Sequence, residues 1–426
     1  MMNDTMAMKD PVNLFDAETQ QCPYEAYAQL REEAPVYKQP GTDIYVVTRY
    51  EDVRAILMDP VTFRSGAEGT AYRMKTDNIE RQKKVAARFA AKGWVPEPTL
   101  GSRDDPGHKQ MRAMFNAAFR PARIKEMDPL VENLAYELID GFVADGHCDW
   151  VQQFSVPLPL YIIGEQMGAR REDMWKIKSW TDAFFRRISM MLDEETEMEM
   201  VDREIEGQHY FQPIFEQLRK TPNDSLLSSL VNDEIEGWGR PLNDNELHAE
   251  MMADTFVGGS ETTTNALSAG MKLLIENKDI WHQLKSDPDT YMKIFIEEVL
   301  RLESPVQSLM RFVARDAEIQ GVAIPAGALI NVRFAAANRD GEQFACPEKL
   351  DLGRAKPGSH VAFGSGVHHC LGAPLARREL IWGFTAVVDR FEDMWFAEGK
   401  NDFTVHPHFL LRSLKALHIE FEPKKR

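Results

Sequence analysis

The chain has 426 residues, 67 of them acidic and 50 basic, for a formal net charge of −17 at pH 7. That sign excludes a general nucleic-acid binder, because phosphate recognition calls for a basic surface. The four cysteines, Cys22, Cys148, Cys346 and Cys370, show no paired spacing, which argues against a disulfide framework and for a reducing compartment.

No run of eighteen apolar residues marks a membrane span. The most apolar stretch, Val156 to Gly164, is short and holds Pro157 and Pro159. The first residues include Asp4, Lys9 and Asp10 and lack a signal-like apolar stretch. The expectation is a cytoplasmic enzyme without membrane contact, built as a flexible segment over 1–22 and one domain over 23–426. No linker-like composition, internal repeat or low-complexity tract divides it.

Along the chain, Tyr45-Val46-Val47 is the first strand signal. Between Phe63 and His108 comes a basic stretch with Arg73, Lys75, Arg81, Lys83, Lys84, Arg88 and Lys92 against Asp77 and Glu80. Its plain reading is a solvated helix face. After Asp105-Pro106, His108 and Arg112 are spaced to share one helix face. Ile124, Met127, Val131, Leu134 and Leu138 recur at helical spacing, as do Phe211, Ile214 and Leu218.

The longest helical pattern runs from about Asn245 to Ile275, with Asn243 or Asp244 as its cap. A straight α-helix of that length would be about 45 Å long. Its middle is Gly258-Gly259-Ser260-Glu261-Thr262-Thr263-Thr264, and each glycine costs about 1 kcal/mol against alanine there. Two readings stay open: close packing of a neighbouring helix, or a local opening where a flat ligand approaches. Further on come Glu298 and Arg301, three apart on one helix face, then strand signals near Ala317 to Ile324 and at Ala416 to Phe421. Helices dominate, so the fold class is mainly α with small β-sheets.

The most informative stretch is Phe363-Gly364-Ser365-Gly366-Val367-His368-His369-Cys370-Leu371-Gly372. Its glycines permit a tight turn. Leu375, Leu380 and Phe384 then mark a helix, so Cys370 faces that helix's free N–H groups and positive dipole end, both of which favour thiolate. A thiolate so held suits an axial haem ligand. A buried free cysteine, or zinc held by His368, His369 and Cys370, is the alternative. Adjacent histidines point apart, and no C-x-x-C partner is present.

This pattern, F-G-x-G-x-H-x-C-x-G, resembles the cysteine-ligand loop of the cytochrome P-450 superfamily. Gly258 to Thr262 is similar to the family's central-helix motif, and Glu298-Val299-Leu300-Arg301 to its E-x-x-R helix. The resemblance covers the chain from about Pro23 to the end. It implies the P-450 fold, a long central helix over one heme b per chain, and Cys370 as the iron ligand. It implies that Glu261 and Thr262 manage protons, and that Glu298, Arg301 and Arg354 form a buried structural network. His108, Arg112, Arg311 (placed just before a strand) and His368 fall at positions that bind haem propionates; Phe363 and Gly364 belong to the cofactor-binding loop.

The same resemblance implies a monooxygenase that inserts one oxygen atom from dioxygen into an apolar organic substrate, by hydroxylation or O-demethylation. A terpenoid, a steroid or an aromatic acid fits; a basic lid over the pocket suggests an anionic one. Asp254, Val257, Leu309 and Phe409 are the substrate-contact candidates, with Asp254 expected to pair with a lid cation. Phe184, Phe185, Met190 and Met191 are candidates for an adaptable roof, and Thr263 and Thr264 for helix packing. Electrons would come from a ferredoxin and an NAD(P)H-dependent ferredoxin reductase, docking on Lys109, Arg120, Arg123, Lys356, Arg377 and Arg378. A peroxide-driven peroxygenase and a non-catalytic haem sensor or carrier are the competing functions.

Overall fold

The computed structural model describes residues 11–66, 76–189 and 191–425. Arg73, Lys75 and Met190 lie outside these, as do Asp4, Lys9 and Asp10.

The expected central helix spans 244–276, in three stretches: Asp244–Glu250, Met251–Glu261 and Thr262–Glu276. Asn243 begins it with a capping box. Its side chain accepts the Glu246 N–H at 3.0 Å while the Glu246 carboxylate accepts the Asn243 N–H at 2.9 Å. The outer stretches are α-helical, and the middle one widens to the i→i+5 pattern of a π-helix. Helices Pro157–Gln166, Met174–Arg187 and Ala373–Arg390 pack around it, and the Trp150 indole donates to the Leu267 carbonyl at 3.2 Å. The apolar stripe begun at Ile124 is broken at Met127 into Pro121–Glu126 and Asp128–Asp140, with Pro129 in the first turn of the second helix.

A five-stranded sheet runs in the order Val36–Lys38, Ile44–Val47, Leu329–Val332, Leu309–Val313, Phe63–Arg64. Tyr45 pairs with Ile330 in parallel, and Arg311 pairs with Ile330 antiparallel. A three-stranded sheet joins His147–Asp149, His418–Pro423 and Phe391–Phe396, and Ala317–Ile319 pairs with Val322–Ile324. All three strand signals fall on strands.

Residues 11–22, expected to be flexible, instead pack against the body. Val12 and Leu14 are buried, Tyr37 donates to the Val12 carbonyl at 2.8 Å, and the Gln20 side chain accepts the His408 N–H at 2.9 Å.

A buried ion network fixes the approach to the cysteine loop. Arg301 donates to both Glu298 oxygens, at 2.7 and 2.9 Å, and to the carbonyls of Asn338, Pro347 and Lys349. Arg354 also reaches Glu298, at 2.7 Å. The Asn338 side chain in turn accepts the Val361 N–H at 2.7 Å, two residues before Phe363. Glu298 and Arg301 are fully buried, so every polar atom must be answered, and this network answers them.

The basic stretch forms helix Thr76–Lys92, which lies along helix Glu194–Lys220. Arg81 pairs with Glu197, Lys84 with Glu194, and Arg88 and Lys92 with Asp202. The stripe is therefore a charged seam between two helices, closed underneath by Phe89, Val201 and Ile205. Among the described residues no helix is long and apolar enough to cross a membrane.

Candidate functional site

The cysteine loop folds back on itself. The Cys370 N–H donates to the Phe363 carbonyl at 2.9 Å, and the His369 N–H to the Gly366 carbonyl at 3.1 Å. Gly364 and Gly366 hold positive φ angles of 68° and 70°, which glycine alone adopts freely. A Cβ on Gly366 would also stand 2.3 Å from the Leu57 carbonyl oxygen. Cys370 has accessible surface, but that surface faces an interior cavity of about 320 Å³.

Burial pushes the Cys370 thiol up; the N–H groups of Gly372 and Ala373, then Arg112 and Arg377, pull it down without prevailing. The helix-end donors favour the thiolate, as the sequence suggested, but burial outweighs them. A metal cation held by the sulfur would supply the missing charge.

The central helix forms the opposite wall. Asp254, Thr255, Gly258, Gly259, Thr262, Thr263 and Ala266 line the cavity, a broader set than one α-helical face offers. The Thr262 hydroxyl donates to the Gly258 carbonyl at 2.9 Å. The two glycines divide the earlier readings between them. A Cβ on Gly259 would meet Ile163 at 3.2 Å, so that glycine permits close helix packing, whereas Gly258 is open to the cavity.

Glu261 turns away from the cavity into a buried cluster, with Lys178 Nζ at 3.0 Å and the Thr181 hydroxyl donating at 3.1 Å. Lys178 also pairs with Asp182, whose side chain is 49% exposed. Burial raises the Glu261 pKa above the ordinary carboxylate value and the Lys178 charge opposes it. Burial acts downward on Lys178, and Glu261 and Asp182 outweigh it.

Beside the cysteine loop the structure gathers Arg112, Arg311, His108 and His368. Arg311 lies within strand Leu309–Val313 rather than ahead of it. Burial lowers it to about 10, the charge of Asp104 opposes this, and its guanidinium donates to the carbonyl of the preceding residue, Met310, at 2.8 Å. Arg112 donates to the His369 carbonyl at 2.9 Å. The rings of His108 and His368 lie 4.1 Å apart. Burial first, then His108, Arg311 and Arg112, push His368 down to about 3. Burial likewise lowers His108, whose Nε2 is buried with no partner among the described residues.

Two arginines and two imidazoles thus converge, and among the described residues neither arginine forms a salt bridge; the nearby carboxylates are Asp105 at the His108 edge and Asp104, whose charge acts on Arg311 and His108. That arrangement fits a ligand bearing anionic groups, with a sulfur below and apolar walls from Phe115, Phe119, Ile163 and Leu375. It fits haem. No cluster of three or more His, Cys, Asp or Glu able to hold a metal ion exists among the described residues.

Of the substrate candidates, Leu309 and Asp254 line the cavity, and Val257 and Phe409 do not. The wider turn of the π-stretch carries Val257 to a buried position off the cavity. Phe409 belongs to another core, where it stacks on Phe15 at 4.1 Å and lies under the Arg333 guanidinium. Asp254 makes no salt bridge among the described residues; it accepts the Gly101 N–H at 2.8 Å. Phe184 and Phe185 pack into the body, Phe185 against His408, and Met191 meets Gln20. Thr264 packs as expected, donating to the Ser155 carbonyl at 3.0 Å, but Thr263 lines the cavity. The sequence reading missed Glu379, which also lines the cavity, bonds Thr263 and is pushed up to about 8 by burial. Its signal was an acid four residues after Leu375, inside an apolar stripe.

A family model described as Cytochrome P450 matches residues 12–418. The chain belongs to the cytochrome P450 family. Members bind heme b through the cysteine thiolate, and this P450 is a monooxygenase by family. It is 32% identical over 414 residues to Cytochrome P450 107B1 of Saccharopolyspora erythraea, covering 95% of this chain and 96% of that protein. It is 31% identical to the Vitamin D(3) 25-hydroxylase of Pseudonocardia autotrophica, covering 97% of each. Among solved structures, the Bacillus subtilis bacillaene polyketide synthase cytochrome P450 PksS superposes with a TM-score of 0.83 at 28% identity, over 96% of this chain and 100% of that one.

Proposed function

We propose that this P450 inserts one oxygen atom from dioxygen into a C–H bond of a small apolar substrate, using two electrons from a separate ferredoxin served by an NAD(P)H-dependent reductase. The observation that carries the reading is the placement of Cys370 and the Thr262 hydroxyl on the walls of one cavity, with the unanswered cations beside them. Cys370 would hold the iron; Arg112, Arg311, His108 and His368 would hold the propionates, and Phe363 and Gly364 would line the cofactor's seat. Haem, when bound, supplies the dioxygen and C–H oxidation chemistry.

The chain supplies binding, water exclusion and protons. The Thr262 O–H donates to Gly258, which leaves its oxygen free to accept from a water in the cavity. Glu261, one residue back, acts as the proton reservoir on the solvent-linked side, through Lys178 and the half-exposed Asp182. The mainly apolar walls favour an apolar substrate body, in keeping with the vitamin D(3) hydroxylase among the relatives.

For the electron partner, Lys109, Arg120 and Lys356 are exposed and form no ion pair among the described residues. Arg377 and Arg378 are held by Glu297 and Asp128, and Arg123 donates to the Asp224 carbonyl. The docking charge therefore rests on the first three.

The test is Cys370→Ala. The wild-type protein, reduced and bound to carbon monoxide, shows the red-shifted Soret band of thiolate ligation; the variant keeps its helical circular dichroism and loses the band. A band that survives the substitution refutes the assignment.

A further inference from the structure

The cavity carries one anionic group that this chemistry does not use. Its titratable lining is Arg112, Arg311 and His368 beside the cysteine loop, Cys370, Glu379 and Asp254. Burial raises the pKa of Glu379 to about 8 and also raises that of Asp254, whose bonds from Gly101 and Thr99 oppose the shift; Asp254 is the acid of the central-helix wall. Asp254 is well exposed, yet that exposure is to the cavity. The Gly101 N–H and the Thr99 hydroxyl reach it, and no cation does among the described residues.

Loop attachment alone does not account for a carboxylate here. Glu250, one turn earlier, already accepts the Leu100 N–H, and an amide oxygen at 254 would serve Gly101 equally. A second carboxyl beside Glu250 adds repulsion, and Asp254 is among the groups that raise Glu250 well above the ordinary range. A desolvated carboxylate that meets hydrogen-bond donors but no cation is costly, and a ligand that brings the opposite charge offsets that cost.

The geometry sets where that ligand charge belongs. Asp254, Gly258 and Thr262 follow one another along the cavity wall, with the glycine leaving bare backbone between carboxylate and hydroxyl. Eight residues of helix span at most about 12 Å. An anionic head would meet Asp254, while the described lid cations Arg81, Lys84, Arg88 and Lys92 are already engaged by Glu197, Glu194 and Asp202.

We propose that Asp254 anchors the substrate through a cationic nitrogen, so that the preferred substrate is an apolar molecule carrying an ammonium group at the end remote from the carbon that is oxidised. This rests on the reading that the cavity above Cys370 is the oxidation site.

The experiment uses the haem-loaded full chain and three probes of equal length: decyltrimethylammonium, 1-decanol and decanoate. The quaternary nitrogen has no lone pair for iron, so it reports pocket occupancy alone. Binding is read by calorimetry and by the low-to-high-spin Soret shift. The wild type is expected to bind the cation at least about tenfold more tightly than decanoate, the size of effect one partly desolvated ion pair gives. Asp254→Asn, which keeps an acceptor for Gly101, is expected to abolish that preference and to leave decanol affinity within about twofold.

Equal affinity for the cation and decanoate in the wild type overturns the proposal, and that comparison decides even if the variant fails to load haem. An equal loss for all three probes in Asp254→Asn also overturns it, because the residue then only fastens the 99–101 segment. The carbon monoxide band separates the two readings. A wild type lacking the thiolate band brings down the oxidation site and the anchor together; an intact band without cation preference brings down the anchor alone.

Discussion

Glu379→Gln isolates the consequence of burying a carboxyl in the cavity wall. Glu379 is 1% exposed, one oxygen meets the Thr263 hydroxyl, and Oε1 has no partner among the described residues. Burial raises its pKa from 4.5 to about 8. The folded chain thus holds this proton over a range where the unfolded chain has released it. The contribution to stability is complete below about pH 4.5 and is lost as pH rises through about 8. Within that window the slope is about 1.4 kcal/mol per pH unit, so from pH 5.5 to 7.5 the wild type should lose about 3 kcal/mol relative to the variant. Glutamine mimics the protonated acid and does not titrate, which removes this slope and leaves every other group unchanged. The assay is guanidinium unfolding followed by tryptophan fluorescence at pH 5.5, 6.5, 7.5 and 8.5, with the difference between the two proteins plotted against pH. The variant should overtake the wild type on the alkaline side. Parallel stability curves across the window would show that Glu379 titrates normally and that its burial has been misread.

If Thr262 holds the proton-bearing water, Thr262→Ala should still load haem and bind ligand, while NAD(P)H consumption appears largely as hydrogen peroxide; an unchanged ratio of product to NAD(P)H removes the role. Glu261→Gln should slow turnover with that ratio kept, because the hydroxyl stays in place and only the reservoir is lost; turnover at the wild-type rate would exclude Glu261 from the relay. Reduction by an acidic ferredoxin should slow as salt rises, since exposed charges are screened beyond about 8 Å at physiological ionic strength. Lys109→Glu with Lys356→Glu should lower the association rate and flatten that dependence, and rates indifferent to salt would exclude the dock.

What the sequence showed well was governed by local backbone rules. The glycine-punctuated turn before Cys370, the Asn243 cap and the strand at Ile44–Val47 each follow from a few neighbouring residues. Glu298 with Arg301 was legible as a pair, though its carbonyl partners at 338, 347 and 349 come from a coil that no spacing rule reaches. The partners of the basic stretch were hidden for the same reason. Arg81 and Lys84 looked unengaged because Glu197 and Glu194 lie 116 and 110 residues away. Phe409 shows another limit: burial of a large apolar residue was predictable, but which of the four separate cores among the described residues would take it was not.

The central helix explains both the successes and the errors at the site. An α-helical wheel puts residues four apart on one face, and Asp254, Gly258 and Thr262 at that spacing all line the cavity. Widening to the i→i+5 pattern over Met251–Glu261 adds a second register, so Thr255, Gly259 and Thr263 face the same cavity. This brings Thr263 to Glu379. It leaves Glu261 directed into the Lys178 cluster while its neighbour Thr262 opens to the cavity. The proposed proton reservoir and the proposed water-holding hydroxyl are adjacent in sequence, yet they have opposite surroundings. One chain position separates the two environments, and substitutions that restore regular α-geometry there should blur that separation before they unfold the helix.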